Sequence, residues 1–129
     1  MFSHVMLGTD NVEESKKFYD SIMKVLGYSE GVIDPKGRCM YRSESAVFLL
    51  TKPINGELAS HGNGMTIGFS ASTPELVDRW HETGVNNGGT TCEEPPGIRG
   101  SGARKLYLAY LRDPSGNKIC ATHIIINES

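Results

Sequence analysis

Cys120 falls in the stretch Gly116–Ile124, GNKICATHI, which follows the turn-rich RDPSG and alternates as a strand does. A thiol placed there has three chemical uses: a ligand for zinc or another thiophilic ion, a nucleophile, or an inert small apolar residue. Strand parity puts Lys118 and Thr122 on the same face, and Lys118 is the neighbouring basic group that sequence offers to depress the thiol pKa. His4, in the first strand, is by type a metal ligand or a general base, or else a histidine hydrogen-bonded inside a polar pocket. Thr66 offers a hydroxyl to a cavity wall. Tyr110 supplies apolar area and one hydrogen bond, and shares its side of the strand with Leu106 and Leu108. Arg38, a same-face neighbour of Met40 and Arg42, suits a ligand carboxylate or phosphate, or stands as a solvated rim residue. His61, His81 and His123 share no constellation and read as structural or surface groups.

These side chains need elements to hold them. DNVEESKKFYDSIMKVLG carries Val12, Ser15, Phe18, Tyr19, Ile22, Met23 and Leu26 at helical spacing, which predicts an amphipathic helix. Asp10 is the expected N-cap with Glu13 behind it, and Gly27 the expected left-handed stop. STPELVDRWHETGVNNGG predicts a second helix, with Ser72 as N-cap, Pro74 in the first helical position, Glu75 completing a capping box, and an end near Asn87. Gly84 counts against it by about 1 kcal/mol relative to alanine.

A short alternating segment precedes each helix, HVMLGT and MTIGFSA, and strand-like runs follow each: YSEGVI, GRCMYRS and AVFLLT, then GTTCEE, KLYLAYLR and NKICATHI. One constant offset carries His4 onto Thr66, Phe18 onto Trp80 and Gly27 onto Gly89, as an internal duplication would. The expected fold class is α+β: two βαβββ repeats forming a curved mixed sheet around a concave cavity. The chain is expected to be one domain, with repeats at 1–53 and 64–125. EEPPGIRGSGA, rich in Pro and Gly, is expected to be a surface loop, a plain insertion or a lid. If Val5, Leu7, Ile67, Phe69, Ile119 and Ala121 face the helices, then His4, Thr66 and Cys120 face away from them. Aligning RSESAVFLL with RDPSGNKICA makes Leu49 the counterpart of Cys120.

The duplicated plan, the FYDSIMKVLGY helix, GNGMTIGFSAS and above all RDPSGNKI resemble the vicinal oxygen chelate superfamily over nearly the whole chain. That group includes glyoxalase I, fosfomycin-resistance enzymes, bleomycin-binding proteins and extradiol dioxygenases. The resemblance implies a histidine from the first strand, a histidine from the strand after the mid-chain glycine, and a glutamate from the last strand as metal ligands. Position by position, this chain keeps His4, but has Thr66 in place of the second histidine and Cys120 in place of the glutamate. Hydroxyl and thiol are poor donors for a hard divalent cation, so the implied site reads as dismantled, with His4 and Cys120 its weak remaining candidates. Tyr110 is similar to the substrate-contacting tyrosine of the fosfomycin-resistance members. The resemblance also implies a homodimer.

Composition narrows the rest. A chain of 129 residues with 38% hydrophobic and 22% charged residues can bury a single sizeable core. A net charge of −2 gives no electrostatic footprint for nucleic acid. No run approaches the ~18 apolar residues of a membrane span, and the first ten residues do not resemble a signal peptide, so a soluble cytoplasmic protein is expected. Three cysteines, Cys39, Cys92 and Cys120, without CxxC spacing, fit reduced thiols. The leading expectation is a glyoxalase/bleomycin-resistance-like protein that binds a small organic molecule in a sheet-lined pocket made by His4, Arg38, Leu49, Thr66, Tyr110 and Cys120. No cofactor is assigned, and a divalent metal stays open. The alternatives are a metal-dependent lyase or glutathione-type transferase, and a non-catalytic interaction module.

Overall fold

The computed structural model describes residues 1–126. Two modules follow one another, each a strand, a helix and three strands. In the first, β1 (His4–Gly8) and α1 (Val12–Val25) precede β2 (Val32–Ile33), β3 (Cys39–Arg42) and β4 (Val47–Thr51). In the second, β5 (Ile67–Ser70) and α2 (Pro74–Asn86) precede β6 (Thr90–Arg99), β7 (Lys105–Arg112) and β8 (Lys118–Ile125). The strands form two separate mixed sheets, ordered β1-β4-β3-β2 and β5-β8-β7-β6. In both, the strand before the helix returns beside the last strand in parallel, and the other pairs are antiparallel. The shared order is the structural form of the duplication.

α1 forms because Ser15, Phe18, Tyr19, Ile22 and Met23 make one buried stripe. Its cap is Asn11, not Asp10: Asn11 is extended, at φ −139°, and its side-chain oxygen accepts from the Glu14 amide at 3.0 Å. Asp10 is engaged elsewhere, its carboxylate accepting from the Ala59 amide at 2.6 Å. Gly27 ends the segment at φ +93°, as its type allows. α2 is capped by Thr73 rather than Ser72, with Thr73 Oγ1 accepting from the Leu76 amide at 3.2 Å. Pro74 explains the shift: its ring keeps the preceding residue out of helical conformation, so the helix starts at the proline, and Glu75 falls one place short of a capping-box position.

The modules meet on their helix sides. Phe18 and Tyr19 pack edge to face at 5.0 Å, Tyr19 meets Phe48 at 5.0 Å, and Phe48 meets Phe69 of the second module at 5.2 Å. Trp80, Val77, Leu111 and Ile119 complete this core with no exposed surface. Burying side chains of this size is worth ~1.5–3 kcal/mol each, which outweighs weak local propensities. Gly84 belongs to the packing: a Cβ there would overlap Leu111 Cδ1 and lie 3.4 Å from Ile22 Cγ2, so it is where α2 comes close to its neighbours.

The expected loop at 93–103 is mostly strand. β6 runs on to Arg99, pairing with β7 on both sides of a register shift between Cys92 and Gly97. Glu93 takes φ +58° at that irregularity. Pro95 and Pro96 fit because β6 is an edge strand, where missing amide donors leave no ladder position unpaired. Among the described residues, no helix is long and apolar enough to cross a membrane.

Candidate functional site

Alternation and register fix which side chains share the outer face of each sheet, away from the helices. On the second sheet, Gly68 pairs with Cys120, Cys120 with Tyr110, and Tyr110 with Cys92, so these four form a row across β5, β8, β7 and β6. On the first, Met6 pairs with Leu49, Leu49 with Met40, and Met40 with Val32. Leu49 and Cys120 therefore occupy equivalent ladder positions, each in the fourth strand of its module. Leu49, Leu108 and Cys120 are buried yet stand outside the core cluster.

Cys120 is shaped by its row. A Cβ on residue 68 would lie 3.2 Å from Cys120 Sγ, so Gly68 makes space for the thiol. Burial pushes the thiol pKa up; a contact with Thr122 Oγ1 at 3.5 Å and the charge of Lys118 oppose this, and Glu93 reinforces it. The group is a protonated thiol at neutral pH. Lys118 forms an ion pair with Glu93 and lies 4.8 Å from the centre of the Tyr110 ring. That ion pair raises the Lys118 pKa. Burial likewise raises that of the Tyr110 phenol. The face thus offers a neutral thiol, a neutral phenol and a paired ammonium around a glycine gap.

The other expected site residues are dispersed. His4 opens β1 on the first sheet, is exposed, and has its Nδ1 2.8 Å from Ser3 Oγ. Thr66 is exposed immediately before β5. Arg38 lies in the β2–β3 turn with its Nε donating to Asp34 at 2.7 Å, so its guanidinium already has a carboxylate. Cys120 and Tyr110 are the two that the register makes direct neighbours; His4 and Leu49 stand on the other sheet. His81 Nε2 lies 3.0 Å from Thr91 Oγ1, and His123 Nδ1 lies 3.0 Å from the Ala71 carbonyl, both structural contacts.

Sequence reasoning missed Glu93 as a partner of Lys118, because the stretch after it read as a loop. It also missed a hollow of about 250 Å³ on the helix side of the first sheet near Met23, Phe48 and Phe69. Tyr28, the residue after the helix-stopping Gly27, was the available signal.

The donor set does not fit a divalent metal. The positions that the resemblance assigns to ligands hold His4, Thr66 and Cys120, with Leu49 at the equivalent rung: one imidazole, one hydroxyl, one protonated thiol and one alkyl group. Among the described residues no three His, Cys, Asp or Glu side chains converge.

Two modules of this topology, with outward rows on equivalent rungs, define the βαβββ class of paired-module proteins. The model of the Glyoxalase/Bleomycin resistance protein/Dioxygenase superfamily matches residues 1–121, and the chain belongs to that family. A glyoxalase/bleomycin resistance protein from Albidiferax ferrireducens T118 is similar at 58% identity, with 95% of this chain and 98% of that chain covered and a TM-score of 0.91. A glyoxalase-related enzyme from Fulvimarina pelagi shares the fold at 18% identity, TM-score 0.70, over 95% of this chain and 87% of that one. So does a glyoxalase/bleomycin resistance protein/dioxygenase family enzyme from Burkholderia phytofirmans PsJN, at 17% identity and TM-score 0.71, over 95% and 98%. No curated protein matches the sequence.

Proposed function

We propose that the protein binds a small organic molecule against the outer face of its second sheet, without a metal centre of the superfamily's kind. The observation that carries this reading is the Gly68–Cys120–Tyr110–Cys92 row: a glycine gap beside a phenol and a thiol, with the Lys118 ammonium at its edge. Aromatic area with a few convergent polar groups is what small-ligand sites are built from. Tyr110 supplies a flat apolar contact and a hydroxyl, Lys118 supplies charge, and Cys120 fills space.

The first sheet's outer row supports a homodimer in which that row closes over the partner's second sheet. Met6 is 38% exposed and Val32 62%, apolar area that a second copy would cover. The ligand would then lie between an apolar wall of one chain and a polar wall of the other. Sedimentation at equilibrium should give twice the chain mass, and Met6→Glu should shift the population toward monomer.

Crystals soaked with a fragment set should show density in contact with Tyr110 and Lys118. Metal analysis of protein purified without added ions should show less than stoichiometric nickel, zinc, manganese or iron. A stoichiometric ion lost in Cys120→Ala, or glyoxalase turnover that rises with added divalent metal, would replace this reading with that of a metal-dependent lyase.

A further inference from the structure

The hollow on the helix side of the first sheet shares only Gly68 with the row proposed as the ligand face. Its volume is about 250 Å³, and its walls are Val5, Met23, Phe48, Ile67 and Phe69, drawn from both modules. Polar residues also line it, among them Arg42 at the end of β3 and Tyr28 just past α1. The Arg42 guanidinium and the Tyr28 hydroxyl make no hydrogen bond or ion pair among the described residues. Elsewhere in this module Lys16 and Tyr41 bond to Asp20, Arg38 to Asp34 and Tyr19 to Asp113. Of the two arginines of this module, Arg38 is held by a carboxylate and, among the described residues, Arg42, beside the apolar hollow, is not.

We propose that this hollow binds a small organic monocarboxylate, its apolar body between Phe48 and Phe69 and its carboxylate on Arg42 and Tyr28. Guanidinium and phenol are both donors, and a carboxylate accepts from both. Size limits the body: water takes ~30 Å³ in the liquid, so the hollow holds about the volume of eight waters, a single ring or a short branched chain. Glu44 lines the open depression just outside, beside Arg42, and would repel a second negative charge, which favours one carboxylate over a dianion such as a phosphate monoester. Binding here is distinguished from binding at the outer row by Met23 and Phe48, which belong to the core side of the sheet, whereas Met6 belongs to the other; Arg42, at the end of β3, shares the parity of Met40.

The test uses the full chain labelled with ¹³C at the methionine methyls, the Met23 signal being assigned with Met23→Leu. Sodium benzoate is the probe and benzamide its neutral counterpart. Benzoate should shift the Met23 methyl resonance saturably at millimolar concentration and leave that of Met6 in place. Arg42→Gln, at an exposed position, should weaken benzoate at least about tenfold, as loss of a charge-assisted hydrogen bond does, while changing benzamide little. An unmoved Met23 signal, or equal benzoate affinity in R42Q, overturns the proposal. A shift confined to Met6 also overturns it, and would instead place the carboxylate at the outer face and support the function proposed above.

Discussion

Tyr19 in α1 donates a 2.6 Å hydrogen bond to Asp113 Oδ2, in the turn between β7 and β8, so one buried phenol ties the helix of the first module to the hairpin of the second. Asp113 Oδ1 also accepts from the Ser115 and Asn117 amides at 2.9 Å, and Asn117 Nδ2 bridges from Asp113 Oδ2, at 3.0 Å, to the Gly8 carbonyl, at 3.1 Å. RDPSGN thus clamps the modules together. Tyr19→Phe should cost about 1.5–3 kcal/mol, the usual range for a hydrogen bond to a charged group whose partner is left buried. Urea titration checks this: an unchanged midpoint would mean that Asp113 is satisfied without the phenol.

Alkaline pH should loosen the same joint. Burial first, then the charge of Asp113, raises the Tyr19 pKa well above that of an ordinary phenol. Burial, with a hydrogen bond to Asp20 behind it, raises that of Tyr41 as well. Each folded phenol keeps a proton that the unfolded chain gives up near pH ~10. The folded state therefore binds more protons, and stability is complete below that pH and falls as pH rises toward the folded values, by up to ~1.4 kcal/mol per pH unit for each group. Denaturation midpoints from pH 8 to 11 should show the fall, and Tyr19→Phe should make it shallower.

Gly84→Ala sets two principles against each other. Helix propensity favours alanine by about 1 kcal/mol. The added methyl, however, would overlap Leu111 Cδ1, and Leu111 is fully buried and has no solvent to move into. Overpacking of this kind costs ~1–3 kcal/mol, so the variant should be less stable than the parent. A raised melting temperature would show that Leu111 has another rotamer to adopt.

How far the sequence reached depends on which physics each residue answers to. The Phe18, Tyr19, Ile22 and Met23 stripe and the strand alternation are local periodicities, and they gave both helices, the element order and the Leu49–Cys120 equivalence. The caps fell one residue away because neighbours decide them: Pro74 bars a helical Thr73, and Ala59, distant in sequence, occupies the Asp10 carboxylate. Glu93 and Arg38 show the same limit, since their partners Lys118 and Asp34 are set by a strand irregularity and a turn. Gly84 looked like a weak point until Leu111 came beside it. The division of His4 and Leu49 from Thr66 and Cys120 between the two modules was legible in the repeat, but which faces of the sheets meet was not, because alternation assigns a face without saying what covers it.

Cys120 should behave as an unreactive thiol. Burial is the largest influence on its pKa and raises it, so the thiolate fraction near neutral pH is smaller than for an exposed cysteine, and alkylation follows the thiolate. Cys39 is fully buried, and its pKa is raised by burial too, whereas Cys92 is partly exposed. Iodoacetamide at pH 8 should therefore modify Cys92 first in the native protein and reach Cys39 and Cys120 at comparable rates only in denaturant, as peptide mass spectrometry would record. Cys120 modified ahead of Cys92 would mean that Lys118 governs the thiol more strongly than burial does. The row on the second sheet would then hold a nucleophile where a space-filling group is proposed.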